Sequence, residues 1–268
     1  MNKIEKQMYS LLLKLKDKGA LAVKAEFEAE GTRTDELLRL HDLSRRAGVK
    51  IALKVGGCEA VKDLIEVKQF GVDYVIAPMV ETPYALDKFI LAKNRVYKSD
   101  ERDDVNFLVN IETETSYSNI DNLIKVASQK DGIDGVVFGR VDYVGSKKLD
   151  PDRVDDQFVE DDCCEVAKLC KDNSLDFVVG GGVSNRALPN LKAINNVFLS
   201  RFETRKIIFS NKALNDKKIV QSLLDAVEFE LLWLLNKREY YGQIIKEDDK
   251  RYKMLNNRWK LLNAPDLK

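Results

Sequence analysis

Histidine and cysteine are scarce in this chain of 268 residues, which contains one His and four Cys. A single imidazole excludes any mechanism or metal site that needs two His side chains. Four cysteines are too few for a disulfide scaffold in a chain of this length, and Cys163 and Cys170 share one face of a predicted helix. We therefore interpret the cysteines as small core residues of a protein that resides in a reducing cytoplasm.

The chain also lacks an excess of either charge and lacks long apolar runs. It has 44 Lys and Arg against 44 Asp and Glu, so its net charge of zero gives no bulk attraction to nucleic acid or to an anionic membrane. No apolar run approaches the ~18–20 residues of a membrane-spanning helix. The N-terminal segment has neither the unbroken apolar stretch nor the cleavage site of a secretory signal. We expect a cytoplasmic protein with no nucleic-acid or membrane partner.

Short β-branched segments alternate with amphipathic helices from about residue 19 to about residue 215. About seven segments have the character of strands, and this spacing predicts right-handed βαβ units around a parallel sheet. An eighth strand requires that the segment FETRKIIF split in two or that the N-terminal segment contribute one. No GxGxxG motif follows the first strand, which disfavours a Rossmann fold. The pattern predicts an α/β protein with a TIM-barrel-like (β/α)8 parallel barrel.

Residues 216–268 form a predicted C-terminal arm, which is almost continuously helical from Lys217 to Leu262. No Pro-, Gly- or Ser-rich linker precedes the arm, so we assign residues 1–268 to a single domain. A helix of this length is stable only if its apolar face finds a partner. Two interpretations remain open: the arm packs on its own barrel, or it buries Trp259 and its neighbours in another subunit of a homo-oligomer.

Strand parity places two carboxylates at the ends of consecutive predicted strands. Asn110 and Glu112 share one face of VNFLVNIE, and Arg140 and Asp142 share one face of GVVFGRVD. Functional groups of parallel barrels lie at the carboxyl ends of strands, and neighbouring strands are ~4.8 Å apart. Two carboxylates this close need a proton or a cation between them, and oxygen ligands select Mg²⁺ or Mn²⁺. The alternative is a core salt bridge that uses Arg140 or Lys54.

Further polar residues at the strand ends complete the predicted site. Glycine clusters there would let backbone amides approach an oxyanion, although such turns are also common for steric reasons alone. The mixture of charges is typical of a site that holds an anion beside a metal. We expect catalytic roles for Lys54, Arg140 and Glu30, and substrate contacts from Gly56, Gly57, Glu28 and Arg201.

The stretch from Lys24 to about Phe209 resembles the HpcH/HpaI aldolase and citrate lyase family of phosphoenolpyruvate/pyruvate-type barrels. The resemblance rests on IET at 111–113, GRVDYVGS at 139–146, APMVET at 77–82, GGCEAVKDL at 56–64 and EAEGTRTDEL at 28–37. It implies that Glu112 and Asp142 bind the divalent metal, and that Lys54 stands where the family has an Arg that grips a 2-oxo acid. The family's His on an early loop is replaced by Gly31, and we predict that His41 is a surface residue.

The resemblance implies a carbon–carbon lyase of the class II aldolase type, dependent on Mg²⁺, Mn²⁺ or Co²⁺ and acting on a 2-oxo acid through a pyruvate-like enolate. One alternative is an acyl-CoA lyase of the citrate-lyase type. Another is a non-catalytic barrel that binds an anion or builds an assembly, because the usual His base is missing. A third is a Schiff-base aldolase that uses Lys24 or Lys54.

Overall fold

Eight strands close into a barrel in sequence order in the computed structural model, which describes residues 1–262. The TIM-like barrel predicted from the alternation of strands and helices is confirmed. The strands are β1 (Ala20–Glu26), β2 (Lys50–Lys54), β3 (Tyr74–Ala77), β4 (Asn106–Ile111), β5 (Gly135–Gly139), β6 (Asp176–Gly180), β7 (Arg201–Glu203) and β8 (Ile207–Ser210).

The barrel departs from the all-parallel prediction at its last strand. The segment FETRKIIF does split in two, but β8 runs antiparallel to both β7 and β1. Only Thr204, Arg205 and Lys206 connect β7 to β8, and the Thr204 amide donates to the Ile207 carbonyl at 2.9 Å. A parallel pair needs a crossover of a dozen or more residues, so a connection this short forces a hairpin.

Helices cover the outside of the barrel, and several begin at side-chain caps that the sequence supplies. Thr82 caps the helix Pro83–Val96, which has Pro83 in its first turn, and Thr113 caps the helix Glu114–Ser118 directly after Glu112. Gly48 ends the helix Thr34–Ala47 in the left-handed conformation that a glycine adopts without strain. The helices are α1 (Lys3–Lys16), α2 (Thr34–Ala47), α3 (Val61–Phe70), α4 (Pro83–Val96), α5 (Ser99–Arg102), α6 (Glu114–Ser118), α7 (Ile120–Ala127), α8 (Arg140–Ser146), α9 (Gln157–Asp172), α10 (Leu188–Val197) and α11 (Ile219–Leu262).

The strands of the barrel lie between two apolar layers. The outer layer lies between strands and helices and includes Phe107, Phe138 and Phe177, together with the buried Cys163 and Cys170. All four cysteines are free thiols, as the sequence predicts. The inner layer fills the barrel interior with Ala22, Ala52, Tyr74, Ile76, Leu108, Val137, Val178 and Ile208. Because this inner layer is short, the polar residues that follow it toward the carboxyl ends of the strands face an open mouth.

The C-terminal arm is a single helix, α11, within the part of the chain that the structure describes. Its first half packs against α1 and the barrel through Leu223, Ala226, Phe229 and Trp233. The packing interpretation of the arm is therefore confirmed for this half, while residues 263–268 of the predicted arm lie outside the described residues. Among residues 1–262, none of the helices combines the length and apolar character that a membrane crossing requires.

Candidate active site

A cavity of about 590 Å³ opens at the carboxyl ends of the parallel strands. This is the end of a TIM barrel at which catalytic groups are found. The walls carry more carboxylates than cations, with Asn110 and the glycines at the carboxyl ends of β5 and β6 between them. The carboxylates are Glu26, Glu28, Glu112, Asp142, Glu203 and Glu230, and the cations are Lys24, Lys54 and Arg205.

Glu112 is the most deeply buried carboxylate of this cavity, with 2% of its surface exposed. It follows β4 directly, and its Oε1 accepts the Met79 amide at 2.9 Å while its Oε2 accepts the Asn110 side-chain amide at 2.7 Å. Met79 holds a positive φ of 52°, a conformation uncommon for a residue with a side chain. Burial raises the pKa of Glu112, and the nearby Lys54 ammonium and the two hydrogen bonds only partly oppose this.

Asp142 lines the same cavity as Glu112 and lies in the first turn of α8. Its charge contributes to the raised pKa of Glu112. The strand parity that selected Asp142 was wrong, because β5 ends at Gly139 and its inward residue is Val137 rather than Phe138. Asp142 reaches the cavity from a helix instead. That both residues are metal ligands stays a prediction.

Arg140 does not line the cavity, contrary to the predicted catalytic position. Its side chain is 1% exposed and points into the protein, where it donates to the Gly181 carbonyl at 2.8 Å and to Asp155 Oδ1 at 2.9 Å. The guanidinium therefore joins the loop after β6 to the 3-10 turn Pro151–Asp155. The prediction failed because the chain turns into α8 at Arg140, which ends the alternation of the strand.

Lys54, which was predicted to be catalytic, does lie in the cavity. Its Nζ lies 3.1 Å from Glu28 Oε2 and 3.9 Å from Glu112 Oε2. Burial lowers the pKa of Lys54, but Glu112, Glu26 and Glu28 outweigh it, so the net direction is upward. Glu28, predicted to contact substrate, lines the cavity as well. A protonated Lys54 can hold an anion but is a poor Schiff-base nucleophile.

Three charged residues that were not predicted as metal-binding, catalytic or substrate-binding residues form the floor of the cavity. Lys24 Nζ lies 2.6 Å from Glu203 Oε1 and 3.5 Å from Glu26 Oε1. Burial lowers the pKa of Lys24, and the Glu203 and Glu26 carboxylates raise it by more. Gly180 makes room for this pair, since a Cβ there would lie 3.0 Å from Glu203 Oε1. Their alternation with apolar residues in β1 and β7 was the signal that could have identified them.

Four other predicted site residues lie outside the cavity. Glu30 pairs with Lys206 and with Arg205 in the β7–β8 hairpin. Arg201 pairs with Asp176 Oδ2 at 2.8 Å at the opposite end of the barrel, because it is the first residue of β7 rather than the last. The Gly56 amide donates to Asp63 Oδ2 at 2.8 Å, and neither Gly56 nor Gly57 lines the cavity.

His41 lies on α2 and does not line the cavity. The side chain is half-buried rather than fully at the surface, with its ring centroid 6.4 Å from that of Phe70. The single imidazole of the chain is therefore not available to reactants in this cavity.

The residues present fit a divalent ion with few protein ligands. Within residues 1–262 there is no group of three or more His, Cys, Asp or Glu side chains that could hold a metal. Mg²⁺ commonly binds through one or two carboxylates and completes its shell with water and substrate oxygens. Glu112 and Asp142 supply such a pair, and a cation beside them would offset both the burial of Glu112 and the repulsion between the two carboxylates.

Fold and cavity together define a TIM-type barrel with an acidic site at the carboxyl ends of its strands. The model of the HpcH/HpaI aldolase/citrate lyase family matches residues 8–181, which is more than half of the chain. The chain therefore belongs to this family of aldolases and lyases, as its resemblance implied. No match to a curated protein was found.

Solved structures of similar fold include two whose descriptions name the same family. An HpcH/HpaI aldolase from Desulfitobacterium hafniense DCB-2 has 10% identity and a TM-score of 0.60, covering 73% of this chain and 82% of that one. An HpcH/HpaI aldolase/citrate lyase family protein from Burkholderia cenocepacia J2315 has 12% identity and a TM-score of 0.58, covering 92% and 100%. The citrate synthase SbnG has 16% identity and a TM-score of 0.58, covering 88% and 90%. At these identities the likeness supports the fold alone.

Proposed function

We propose that this protein is a divalent-metal-dependent carbon–carbon lyase of the aldolase type that acts on a 2-oxo acid. The observation that carries the proposal is the buried Glu112 carboxylate, held by the Met79 amide and by Asn110 in a cavity that it shares with Asp142. Burial of the Glu112 carboxylate, to which the charge of the exposed Asp142 adds, is costly unless a cation offsets it. Membership of an aldolase and lyase family supports the same reaction class.

Glu112 and Asp142 would hold Mg²⁺, Mn²⁺ or Co²⁺. When bound, such an ion supplies Lewis-acid polarisation of the 2-oxo group. Asn110 and the Met79 amide orient the Glu112 carboxylate for this task, since each donates to a different oxygen. The Asn110 Oδ1 atom is buried and has no hydrogen-bond partner among the described residues, so it can accept from a bound water or substrate hydroxyl.

Lys54 is the cation placed to bind the substrate carboxylate or the oxygen of the enolate. It offers a point charge with three donors rather than the planar fork of an Arg, so it fixes the charge of the substrate more than its orientation. Lys24 is already paired with Glu203 at 2.6 Å and shapes the floor of the cavity. The raised pKa of both lysines weighs against a Schiff-base mechanism.

Glu28 is the residue that transfers the proton in this proposal. Gly31 stands where the family has its His, and Glu30 is engaged by Lys206, whereas Glu28 lines the cavity beside Lys54. In cleavage, Glu28 accepts the proton of the substrate hydroxyl at C4 as that carbon becomes an aldehyde. The C3–C4 bond breaks, and its electron pair forms the enolate of the 2-oxo acid.

The test is exchange of the methyl protons of pyruvate in deuterated water, followed by NMR. We expect exchange that requires Mg²⁺, Mn²⁺ or Co²⁺, stops with a chelator, and falls at least about 100-fold in Glu112→Gln and Asp142→Asn. Asp87→Asn, an exposed carboxylate on α4, is the matched control and should exchange like the wild type. Exchange whose rate changes neither on removal of the metal nor in Glu112→Gln overturns the proposal. The absence of any exchange favours the acyl-CoA lyase or the non-catalytic barrel.

A further inference from the structure

The three charged side chains on the floor of the cavity include two carboxylates but only one cation. Glu26 and Glu203 both lie close to the ammonium of Lys24, at 3.5 Å and 2.6 Å, and each of the three side chains is at most 8% exposed. The group therefore carries a net charge of −1 where water screens it poorly. Because a buried carboxylate is costly without a matching positive charge, a cationic group on a ligand would be stabilised here.

The cations of the β7–β8 hairpin are already engaged by other carboxylates. Lys206 pairs with Glu30, and the Arg205 guanidinium lies 3.2 Å from Glu30 and 3.7 Å from Glu230. The Glu26 charge acts on both cations only at longer range. These two cations are therefore matched by carboxylates of their own, and the excess negative charge of the floor remains.

One carboxylate oxygen of Glu203 is available to accept a hydrogen bond. Oε1 accepts from Lys24, whereas the buried Oε2 atom has no hydrogen-bond partner in residues 1–262. Glu203 borders the cavity and also a space of about 10 Å³ in the barrel interior, which it shares with Arg201. That interior space has room for one water molecule at most, so a larger ligand reaches Glu203 only from the cavity. A primary ammonium would bring both a positive charge and three N–H donors.

Two glycines limit the distance between this floor and the Glu112 carboxylate. A Cβ at Gly139 would lie 2.8 Å from Glu112 Oε2, and a Cβ at Gly180 would lie 3.0 Å from Glu203 Oε1. Gly139 and Gly180 are paired in neighbouring strands. Since such strands are about 4.8 Å apart, the two carboxylates lie within roughly 11 Å of each other. A five-carbon chain that ends in an amino group spans roughly 6 Å and, with a contact of about 2–3 Å at each end, reaches both.

The charge of the cavity walls as a whole also favours a cationic group. Six carboxylates against three cations give the walls a net charge of −3, and a divalent ion at Glu112 and Asp142 would leave −1. A second anionic group on the substrate would add to this charge, whereas an ammonium would offset it. We propose that Glu203 and Glu26 bind a primary ammonium group on the aldehyde half of the substrate. The assignment to the aldehyde half rests on the proposed function, whereas the ammonium site itself does not.

Binding of 5-aminopentanoate tests the site without any turnover. Hexanoate has nearly the same length and the same carboxylate but a methyl group in place of the ammonium, and adipate has a second carboxylate there. We expect calorimetric titration of the full chain with Mg²⁺ to give a dissociation constant at least about tenfold lower for 5-aminopentanoate than for hexanoate, with adipate the weakest. Equal affinities for 5-aminopentanoate and hexanoate, or binding of neither, would mean that a water molecule alone satisfies Glu203 and would overturn the proposal.

Variants at two cavity carboxylates separate recognition by Glu203 from the effect of total charge. Glu203→Gln should reduce the preference for 5-aminopentanoate over hexanoate to within about threefold, while Glu230→Gln, which removes the same charge from the same cavity, should keep at least about fivefold. Gly180→Ala crowds Glu203 without changing any charge, so it should lower the preference as well even if Glu203→Gln does not fold. An equal fall in the two glutamine variants contradicts a site at Glu203.

Pyruvate exchange distinguishes failure of this inference from failure of the proposed function, because exchange does not involve the aldehyde half. A wild type that prefers 5-aminopentanoate but exchanges no pyruvate protons would keep the ammonium site and overturn the proposed function. A wild type that exchanges pyruvate protons but binds hexanoate as tightly as 5-aminopentanoate would keep the function and overturn the site.

Discussion

Gly139 at the end of β5 lies so close to Glu112 at the end of β4 that a Cβ at position 139 would be 2.7 Å from the Glu112 Cβ and 2.8 Å from its Oε2. Glycine is needed here for space alone, because no positive φ is involved. The contact places the backbone of β5 against the carboxylate and fixes one wall of its pocket. The glycine that begins the GRVDYVGS motif is therefore explained by the residue that ends β4.

We expect Gly139→Ala to displace Glu112 and weaken divalent-metal binding. Relief of the overlap requires a shift of backbone or carboxylate, which costs about 1–3 kcal/mol in stability. Gly145→Ala in α8 is the matched control, since a Cβ there meets nothing within 4 Å. Calorimetric titration with Mn²⁺ and urea unfolding measure the two effects. Equal metal affinity in the two variants would contradict this role of Gly139.

Arg140→Met should destabilise the fold without reducing metal binding. It leaves the Gly181 carbonyl and Asp155 without their buried donor, at a cost of about 3–5 kcal/mol. Arg153→Met removes an exposed pair with Asp156 and should cost less than about 1 kcal/mol. Thermal unfolding compares the variants. A loss of Mn²⁺ affinity in folded Arg140→Met protein would contradict this prediction and indicate that Arg140 contributes to the functional site.

Lys93 gives the fold a pH dependence remote from the cavity. Burial lowers the pKa of this lysine to about 8, and Arg102 acts in the same direction. The ammonium therefore opposes folding at neutral pH, and this penalty fades as the pH rises from about 8 toward the unfolded value of about 10.4.

We expect Lys93→Met to be more stable than the wild type at pH 7 by about 1–3 kcal/mol, and the difference to shrink by pH 10. Lys125→Met, an exposed lysine on α7, should show no such trend. Urea unfolding across this range measures it. A gap between Lys93→Met and the wild type that grows with pH would show that the hydrogen bond from Lys93 Nζ to the Asp131 carbonyl at 3.0 Å outweighs burial.

The direction in which a side chain points could be predicted from the sequence where the strand's alternation of inward and outward residues continues as far as that side chain. In β4 the parity of Asn110 and Glu112 follows from local geometry, and both residues face the cavity. In β5 the same rule extends past Gly139 and misplaces Arg140, because a strand ends where its neighbours stop pairing with it. That end depends on contacts with residues distant in the sequence, which a local pattern does not contain.

The alternation of short strands and amphipathic helices was enough to predict the barrel, and the IET and GRVDYVGS motifs were enough to indicate its family. Tertiary structure decided which end of the barrel each charge occupies, since Arg201 begins its strand while Glu203 ends it. It also decided the direction of β8, because a three-residue connection closes only as a hairpin. Side-chain periodicity is a property of a short segment, whereas strand ends and directions are set by closure of the whole sheet.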